Sequence, residues 1–382
     1  MLKIVTIIGA RPQIIKAAAI SRAIGNHYSN RIQEIIVHTG QHYDKSMSQV
    51  FIDELGIPQP DYNLNIGSAS HGVQTAGMIT GIEEILEKEK PDYLVVYGDT
   101  NSTLAAAIAA SKIHIPIVHI EAGLRSFNKS MPEEINRIVC DHVSSLLFSP
   151  TRTGYDNLVN EGFSANNKSP FTADNPATFH CGDVMYDNSI YFKAIASEKS
   201  KVLEKHELLN KEFILATIHR NNNTDQPERL NAIFRALNKI ATENKIPIIL
   251  PLHPRTNKML ERVLEKILHQ EILSNQLIQL IPPVSFLDMI QLESHCQLVV
   301  TDSGGVQKEA YFFKKPCIIL RPETEWKEIV EAGSGIIADA DENTILETYQ
   351  NLTEKPSEFN YPPIFGDGKA AEFICGIMLE NG

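Results

Sequence analysis

Short apolar runs recur along the chain and alternate with longer segments in which apolar residues return at helical spacing. Each run contains adjacent apolar positions, so both faces of each predicted strand are expected to be buried, as in a parallel sheet covered by helices. The runs form two series, at residues 3–8, 33–38, 93–97, 116–120 and 145–149 and at residues 213–218, 247–252, 277–281, 297–301 and 316–320. Each series predicts a doubly wound α/β domain.

The length of the chain, 382 residues, also favours two domains, because one hydrophobic core rarely organises so long a chain. Residues 164–176, between the two series, form the most polar and turn-rich stretch. We predict an N-terminal Rossmann-like domain at residues 1–175, a C-terminal Rossmann-like domain at residues 176–366 and a hinge near residues 170–190.

Composition narrows the range of partners. The formal net charge of −12 argues against a nucleic acid or an anionic membrane surface as the partner. The five cysteines show no CxxC spacing and four of them sit in apolar contexts, so we expect free thiols, no disulfide and no zinc site. The apolar run at the N-terminus is too short for a signal peptide or a membrane span, which favours a cytoplasmic protein.

The segment TDSGGVQKEA, residues 301–310, predicts a phosphate site. It follows an apolar run, turns at two glycines and opens a predicted helix, whose free N–H groups and dipole favour an anion. Glu309 lies about one turn into that helix, and its side chain leans back toward the same pocket, where it can accept hydrogen bonds from a ribose diol. The alternative is an ordinary turn between strand and helix with glycines for packing.

Function-capable side chains also follow other predicted strands, and ligands of doubly wound sheets bind beyond the carboxyl ends of strands. We therefore expect one cleft to collect these groups. In the first half they are Arg11, Lys16, Asp99 and Glu121, with Glu133 and Arg137 at the next predicted helix. In the second half they are His219, Arg220, His253 and Arg255.

Several of these residues have simpler interpretations. Asp99 is also suited to cap a helix, and Glu133 to complement the dipole of a helix first turn. Glu121 is harder to explain in this way, because a carboxylate that directly ends an apolar strand must be solvated or paired. His219 and His253 each end a strand near an arginine, which favours phosphate binding.

The motifs together resemble one family. In order and spacing they are GARPQ at 9–13, YGDT at 97–100, HIEAGLR at 119–125, MPEEINR at 131–137, HR at 219–220 and TDSGGVQKE at 301–309. They resemble the non-hydrolysing UDP-N-acetylglucosamine 2-epimerases over nearly the whole chain. The resemblance implies a glycosyltransferase-B-like fold, an active site in the interdomain cleft, a C-terminal helix at residues 367–382 that crosses back to the first domain, and a homodimer.

The chemistry of that family is an elimination and re-addition of UDP through a 2-acetamidoglucal, serving bacterial surface polysaccharide precursors. The resemblance implies that Asp99, Glu121 and Glu133 are the catalytic acids, which need only reach the C2 proton. His219, Arg11, Lys16 and the turn at Ser303 match groups that stabilise the departing diphosphate. We further expect the substrate to contact Arg137, Arg220, His253, Arg255, Phe286, Ser303, Gly304, Gly305, Glu309 and Arg321.

No cofactor is expected, because the turn after the first strand lacks the G-x-G-x-x-G fingerprint of nicotinamide binding, and no metal is expected. The sequence departs from the common family pattern at Gln13 and Asn222, where acids are usual. Two missing acids would remove repulsion from a sugar carboxylate, so the branch that acts on UDP-2,3-diacetamido-2,3-dideoxyglucuronate is an alternative. A retaining glycosyltransferase, a hydrolysing epimerase and a non-catalytic UDP-sugar sensor are further alternatives.

Overall fold

The computed structural model describes residues 1–40, 56–67, 69–252, 254–354 and 359–382. The chain divides into two compact units. The first unit contains Met1–Ile190 and Pro363–Gly382, and the second contains Tyr191–Pro362. Each unit carries its own parallel sheet, described in turn below.

The first unit is built on a Rossmann-type sheet. Its strands are all parallel and lie side by side in the order β3–β2–β1–β4–β5–β6–β7. The chain builds the sheet outward in one direction from β1 to β3 and in the other direction from β4 to β7, so the order of the strands switches between β1 and β4. Loops that follow the strands beside such a reversal line a natural ligand crevice. The strands are β1 (Leu2–Ile8), β2 (Ile32–His38), β3 (Tyr62–Asn63), β4 (Tyr93–Tyr97), β5 (Ile117–Ile120), β6 (Leu146–Ser149) and β7 (Ala177–His180).

Helices connect these strands. They are α1 (Arg11–Ala23), α2 (His71–Glu89), α3 (Asn101–Lys112), α4 (Pro132–Val143), α5 (Arg152–Asn160) and α6 (Val184–Lys199), and α6 continues into the second unit. A π-helical turn, Ile24–Tyr28, extends α1. Proline occupies the first turn of both α1 and α4, where its missing N–H has no partner to lose. The alanine-rich face of α3 is buried.

The second unit repeats the same strand order. Its parallel strands are arranged as β10–β9–β8–β11–β12–β13, with the reversal between β8 and β11. The strands are β8 (Ile214–Thr217), β9 (Ile248–Pro251), β10 (Ile278–Ile281), β11 (Leu298–Thr301), β12 (Cys317–Ile319) and β13 (Gly335–Ile337). The helices are α7 (Val202–Lys205), α8 (Asn221–Thr224), α9 (Pro227–Asn244), α10 (Pro254–Val263), α11 (Lys266–Ser274), α12 (Phe286–His295), α13 (Gly304–Phe312), α14 (Lys327–Glu331) and α15 (Glu342–Glu354).

The final helix, α16 (Ala370–Asn381), belongs to the first unit and packs against α1. Its N-terminus is held by the buried carboxylate of Asp187, which accepts the N–H groups of Ala370 at 3.2 Å and Ala371 at 2.8 Å. Burial raises the pKa of Asp187 to about 6. These contacts anchor the C-terminal segment to α6.

The predicted α/β class with two Rossmann-like sheets is confirmed, because every predicted apolar run overlaps a parallel strand. The pattern missed β3, β7 and β13. Each is a short edge strand: β3 has two residues, β7 is half-exposed, and β13 opens with a glycine. Because β7 pairs with β6, the first sheet continues past the boundary predicted at residue 175, and the structure divides the chain after Ile190.

Two further predictions from the sequence concern membrane-spanning helices and the state of the cysteines. None of the helices built from the described residues is long and apolar enough to cross a membrane. All five cysteines are free, and Cys140, Cys296, Cys317 and Cys375 are buried.

Candidate active site

The first acid, Glu121, lies at the end of a strand, and both it and Gly98 at the end of the neighbouring strand have left-handed backbone conformations. Gly98 follows β4 with a φ of +61°, and Glu121 follows β5 with a φ of +75°. This conformation suits glycine, whereas for a glutamate it costs on the order of 1–3 kcal/mol. The Glu121 carboxylate lies 2.7 Å from the Lys16 ammonium, and the exposed fractions of the two side chains are 11% and 9%. A Cβ at position 98 would lie 3.1 Å from Lys16 Nζ, so glycine leaves room for this ion pair.

The second acid is held by an arginine of α4. Arg137 Nη2 donates to Asp99 Oδ2 at 2.5 Å, and Arg137 Nη1 donates to Glu134 Oε2 at 3.0 Å. The Glu134 carboxylate also accepts the N–H groups of Ser126 and Phe127, each at 2.9 Å. Burial raises the pKa of Glu134, but these hydrogen bonds and the Arg137 charge outweigh it, so the pKa lies below its ordinary value. Arg137 thus ties Asp99 to the loop before α4.

The simpler interpretation of Asp99 as a helix cap does not hold. The N-cap of α3 is Thr100, whose hydroxyl accepts the N–H of Thr103. Glu133 and Arg11 are exposed in the first turns of α4 and α1. The structure therefore joins Lys16 to Glu121 and Arg137 to Asp99, and it leaves Glu133 and Arg11 at the surface of the first unit.

A fully buried histidine lies beneath the two acid-bearing loops. His119 Nδ1 lies 2.7 Å from Asp141 Oδ1, and His119 Nε2 lies 2.8 Å from the carbonyl oxygen of Gly98. Asp141 Oδ2 accepts the N–H of Gly123 at 3.1 Å and lies 2.7 Å from Arg125 Nη2. Because Asp141 is paired with the Arg125 guanidinium and also accepts the N–H of Gly123, it is ionised, and neither partner of the imidazole has a hydrogen to donate.

His119 therefore carries hydrogen on both ring nitrogens and is an imidazolium. Burial lowers the pKa of His119, but the charge of the Asp141 carboxylate and its hydrogen bond raise it, and the pKa lies well above its ordinary value. Burial likewise raises the pKa of Asp141, but His119 and Arg125 outweigh it and the pKa is lowered. Arg125 in turn pairs with Glu161 at 2.6 Å, which completes a row of alternating charges.

Gln13 belongs to the interior rather than to the sugar site. Its side chain is 1% exposed. Its Oε1 accepts the N–H of Ala10 at 3.1 Å, and its Nε2 donates to the Tyr97 carbonyl at 3.2 Å and to Thr103 Oγ1 at 3.0 Å. Both amide hydrogens are used within the fold, so the interpretation that Gln13 accommodates a sugar carboxylate is wrong. It caps α1 and fixes the end of β4 instead.

In the second unit a buried carboxylate organises the loop after β8. Asp302 directly follows β11 and is fully buried. Its oxygens accept the N–H groups of His219 at 3.1 Å and Arg220 at 3.0 Å, and the Nδ2 of Asn223 at 3.1 Å. The His219 side chain is 51% exposed, with Nδ1 3.3 Å from Asp302 Oδ1. Asp302 thus fixes the backbone that presents His219 and Arg220.

The predicted phosphate turn is a helix start in the structure. Ser303 caps α13, and its hydroxyl accepts the N–H of Val306 at 3.4 Å. Trp326 Nε1 donates to the Gly304 carbonyl at 3.0 Å, and the ammonium of buried Lys308 lies 4.3 Å from the centre of the Trp326 ring. Gly305 is exposed and Glu309 is half-buried further along the helix. A helix start braced in this way suits a diphosphate.

Two expected substrate-binding arginines are engaged by acids of the same unit. Arg321 donates to both oxygens of Glu325, at 2.8 and 2.9 Å. Burial raises the pKa of Glu325, but Arg321 outweighs it and the pKa is lowered. Arg255 Nη2 lies 2.7 Å from both oxygens of Asp225, and Arg255 Nη1 donates to Asn221. The charges of Arg321 and Arg255 are therefore largely balanced within the second unit.

The remaining predicted residues are placed as follows. Phe286 is buried at the start of α12, with its ring edge-on to Phe192 at a centroid distance of 5.4 Å. Asn222 is exposed, and its Oδ1 accepts the Nε2 of Gln226 at 2.8 Å. His253 lies outside the described residues. Within the described part of the chain, His, Cys, Asp and Glu side chains form no group of three or more that suits a metal ion.

Sequence reasoning missed the supporting acids. Asp302 could have been found, because it ends an apolar strand as Glu121 does, and the argument that such a carboxylate must be paired applies to both. Glu134 and Asp141 lie on the buried side of α4, where helical spacing leaves them next to Arg137. Their partners on other loops have no local signal in the sequence.

Known proteins resemble the chain over its whole length. A family model described as UDP-N-acetylglucosamine 2-epimerase matches residues 26–379. The chain is 48% identical to a UDP-N-acetylglucosamine 2-epimerase homolog of Methanococcus maripaludis over 99% of both chains. It is 47% identical to the UDP-2,3-diacetamido-2,3-dideoxy-D-glucuronate 2-epimerase of Pseudomonas aeruginosa, over 99% of this chain and 100% of that one.

A solved structure gives the same result. The crystal structure of Methanocaldococcus jannaschii UDP-GlcNAc 2-epimerase, in complex with UDP-GlcNAc and UDP, aligns with a TM-score of 0.86 and 40% identity, covering 99% of this chain and 100% of that one. The fold and the polar residues at the strand ends define an α/β enzyme with a glycosyltransferase-B-like fold. Within this class the chain belongs to the UDP-N-acetylglucosamine 2-epimerase family. The predicted resemblance and the isomerase class are thereby confirmed.

Proposed function

We propose that the protein is a non-hydrolysing epimerase that interconverts UDP-N-acetylglucosamine and UDP-N-acetylmannosamine. The observation that carries the proposal is the pair of strand-end acids, Glu121 on Lys16 and Asp99 on Arg137, in a chain of this family. Each acid is held by a buried cation at the carboxyl end of a neighbouring strand, where Rossmann-type sheets bind ligands.

The reaction we propose has two halves. A carboxylate takes the C2 proton, the C2–H electrons form the C1–C2 double bond, and the C1–O bond breaks with its electrons on the UDP oxygen. The 2-acetamidoglucal is then protonated at C2 on the opposite face while the UDP oxygen attacks C1. Two carboxylates on different loops suit this sequence, because proton removal and delivery occur on opposite faces. We assign these steps to Asp99 and Glu121, with Glu133 as the third acid.

We assign nucleotide binding to the second unit. The start of α13 at Ser303, Gly304 and Gly305 offers backbone N–H groups to the diphosphate, and Glu309 accepts from the ribose. His219, exposed on the loop fixed by Asp302, supplies a donor to the departing phosphate. Arg11, Arg220, Arg255, Phe286 and Arg321 complete the proposed binding set, together with His253.

The proposal is tested by solvent exchange at C2. The protein is incubated in heavy water with UDP-N-acetylglucosamine and no acceptor or cofactor, and the nucleotide sugars are followed by NMR. We expect deuterium at C2 of the epimer and, because the reaction reverses, at C2 of the recovered substrate. A product that keeps its original C2 hydrogen would contradict the proposal, and release of free N-acetylmannosamine would indicate the hydrolysing enzyme.

A parallel arm of the same experiment addresses the substrate. The 47% identical relative is named for UDP-2,3-diacetamido-2,3-dideoxy-D-glucuronate. Buried Gln13 gives no support to a preference for that sugar, because its amide is bonded within the fold. Asn222 is exposed and stays a candidate for contact with a carboxylate. Comparing C2 exchange rates on the two sugars therefore decides between the lead function and its alternative.

The assignment of Glu309 to the ribose of UDP predicts that its substitution weakens UDP binding. Glu309→Ala should weaken UDP binding about 10- to 100-fold, since a lost charge-assisted hydrogen-bond pair is worth roughly 1–3 kcal/mol. Calorimetric titration with UDP measures this loss. Glu347→Ala on α15 is a matched control in the same unit. UDP affinity unchanged in Glu309→Ala would remove Glu309 from the nucleotide site.

We further propose that the protein acts as a homodimer in the cytoplasm. The free thiols of all five cysteines suit a reducing compartment. Light scattering after size-exclusion chromatography measures the oligomeric state.

A further inference from the structure

The first unit contains a buried cation to which the proposed reaction assigns no role. His119 is fully buried and lies within β5, two residues before Glu121. Its ring spans two elements, because Nε2 donates to the Gly98 carbonyl and Nδ1 donates to Asp141 on α4. The Gly98 carbonyl belongs to the peptide bond that leads into Asp99.

Asp141 extends the connection to the other acid-bearing loop. Its second oxygen accepts the N–H of Gly123, in the turn that Glu121 begins. That turn contains left-handed residues at Glu121 and Gly123, with φ values of +75° and +80°. A strained turn of this kind persists only when its surroundings fix it in place.

We propose that the His119 imidazolium is a positioning residue that fixes the Asp99 loop and the Glu121 loop relative to each other. Through Gly98 it fixes the backbone of the first loop, and through Asp141 and Gly123 it fixes the second. The inference rests on the proposed function, since it concerns the two acids assigned to proton transfer. The geometry that matters is their separation and direction, because reacting groups displaced by about 1 Å lose roughly 100-fold in rate.

Two conservative variants separate the two connections. In His119→Gln the amide nitrogen takes the place of Nε2, so the bond to Gly98 is kept and the bond to Asp141 is lost. In His119→Asn the amide nitrogen takes the place of Nδ1, so the bond to Asp141 is kept and the bond to Gly98 is lost. Neither amide supplies a cation, and both are smaller than or similar in size to the imidazole.

The experiment measures C2 exchange and epimer formation from UDP-N-acetylglucosamine for both variants, together with UDP binding by calorimetry. We expect kcat to fall about 10- to 100-fold in each, with KM and the UDP dissociation constant within about twofold of wild type. UDP binding is assigned to the second unit and does not report the folding of the first, so thermal unfolding followed by circular dichroism gives the folded fraction and kcat is expressed per folded molecule. His114→Gln, an exposed histidine of the same unit, is the control and should keep wild-type kcat.

Asp141→Asn keeps the shape of the carboxylate and provides a second variant should a His119 variant fold poorly. If one network holds both loops, the double variant His119→Gln with Asp141→Asn should lose little more kcat than the worse single variant. Wild-type kcat per folded molecule in His119→Gln and His119→Asn, or additive losses in the double variant, would overturn the inference. Absence of C2 exchange in the wild type would instead overturn the proposed function, so the two failures are distinguishable.

Discussion

Glu121→Gln is expected to lower the rate of C2 exchange by about 10²–10⁴-fold, the range that a positioned general acid or base contributes. The amide is nearly the same size as the carboxylate but cannot take or deliver the proton. UDP affinity should stay near the wild-type value, because the groups assigned to UDP lie mainly in the second unit. Exchange in heavy water and calorimetry with UDP measure the two quantities.

The substitution also removes one half of a nearly buried ion pair. Lys16 is 2.7 Å from Glu121, and an ammonium left without its partner destabilises a fold by several kcal/mol when it is buried. Thermal unfolding must therefore accompany the kinetics. Glu87→Gln, at an exposed position on α2, is the control. A Glu121→Gln enzyme that is folded, binds UDP and exchanges the C2 proton at the wild-type rate would exclude Glu121 from proton transfer.

The strand pattern accounts for most of what the sequence predicted. The run 93–97 is apolar at every position and the run 297–301 is apolar between its terminal glutamine and threonine, and they form central strands in the two sheets. Parallel central strands are buried on both faces, so their signal is strong. Edge strands such as Ala177–His180 bury fewer of their side chains, so no comparable run marks them and the end of the first sheet was placed too early.

The candidate acids were also accessible from the sequence, because a charged residue at or just beyond the end of a buried strand is conspicuous. Asp99 and Glu121 were found in this way, and the structure supplies their cationic partners, Arg137 and Lys16. Lys16 lies on α1 and Glu121 beyond β5, so only the folded chain brings them together. The nature of a strand-end residue is local information, whereas its partner is tertiary information.

For Gln13 the interpretation from the sequence was wrong. An amide where an acid is usual invites an explanation from the substrate, yet the side chain caps α1 and binds the end of β4. Burial of position 13 is not evident in the sequence, because the residue lies just after a cationic and a proline residue in the first turn of a predicted helix. A polar residue at a helix start has two possible sets of partners, and only packing selects between them.

The second large effect is expected from substitution of Asp302, the acid that directly follows β11, and it concerns the stability of the second unit. Asp302→Ala should destabilise the second unit by several kcal/mol, because it removes the acceptor of the His219 and Arg220 N–H groups and one of the two acceptors of the Asn223 amide, which also donates to the Leu320 carbonyl. Each unsatisfied buried donor costs roughly 1–3 kcal/mol. Chemical denaturation measures the loss.

Asp302→Asn tests the binding consequence in a protein that is easier to fold. Its remaining oxygen can accept from one of these groups, while its amide nitrogen faces donors, so the loop that presents His219 should shift. We expect UDP affinity to fall at least about tenfold, which corresponds to about 1.4 kcal/mol. Asp341→Asn is the matched control, because Asp341 accepts the N–H of Thr344 at 2.8 Å in the same unit but is exposed. Equal UDP affinities for Asp302→Asn and Asp341→Asn would show that the loop after β8 does not depend on Asp302, and that His219 acts without the support of a buried carboxylate.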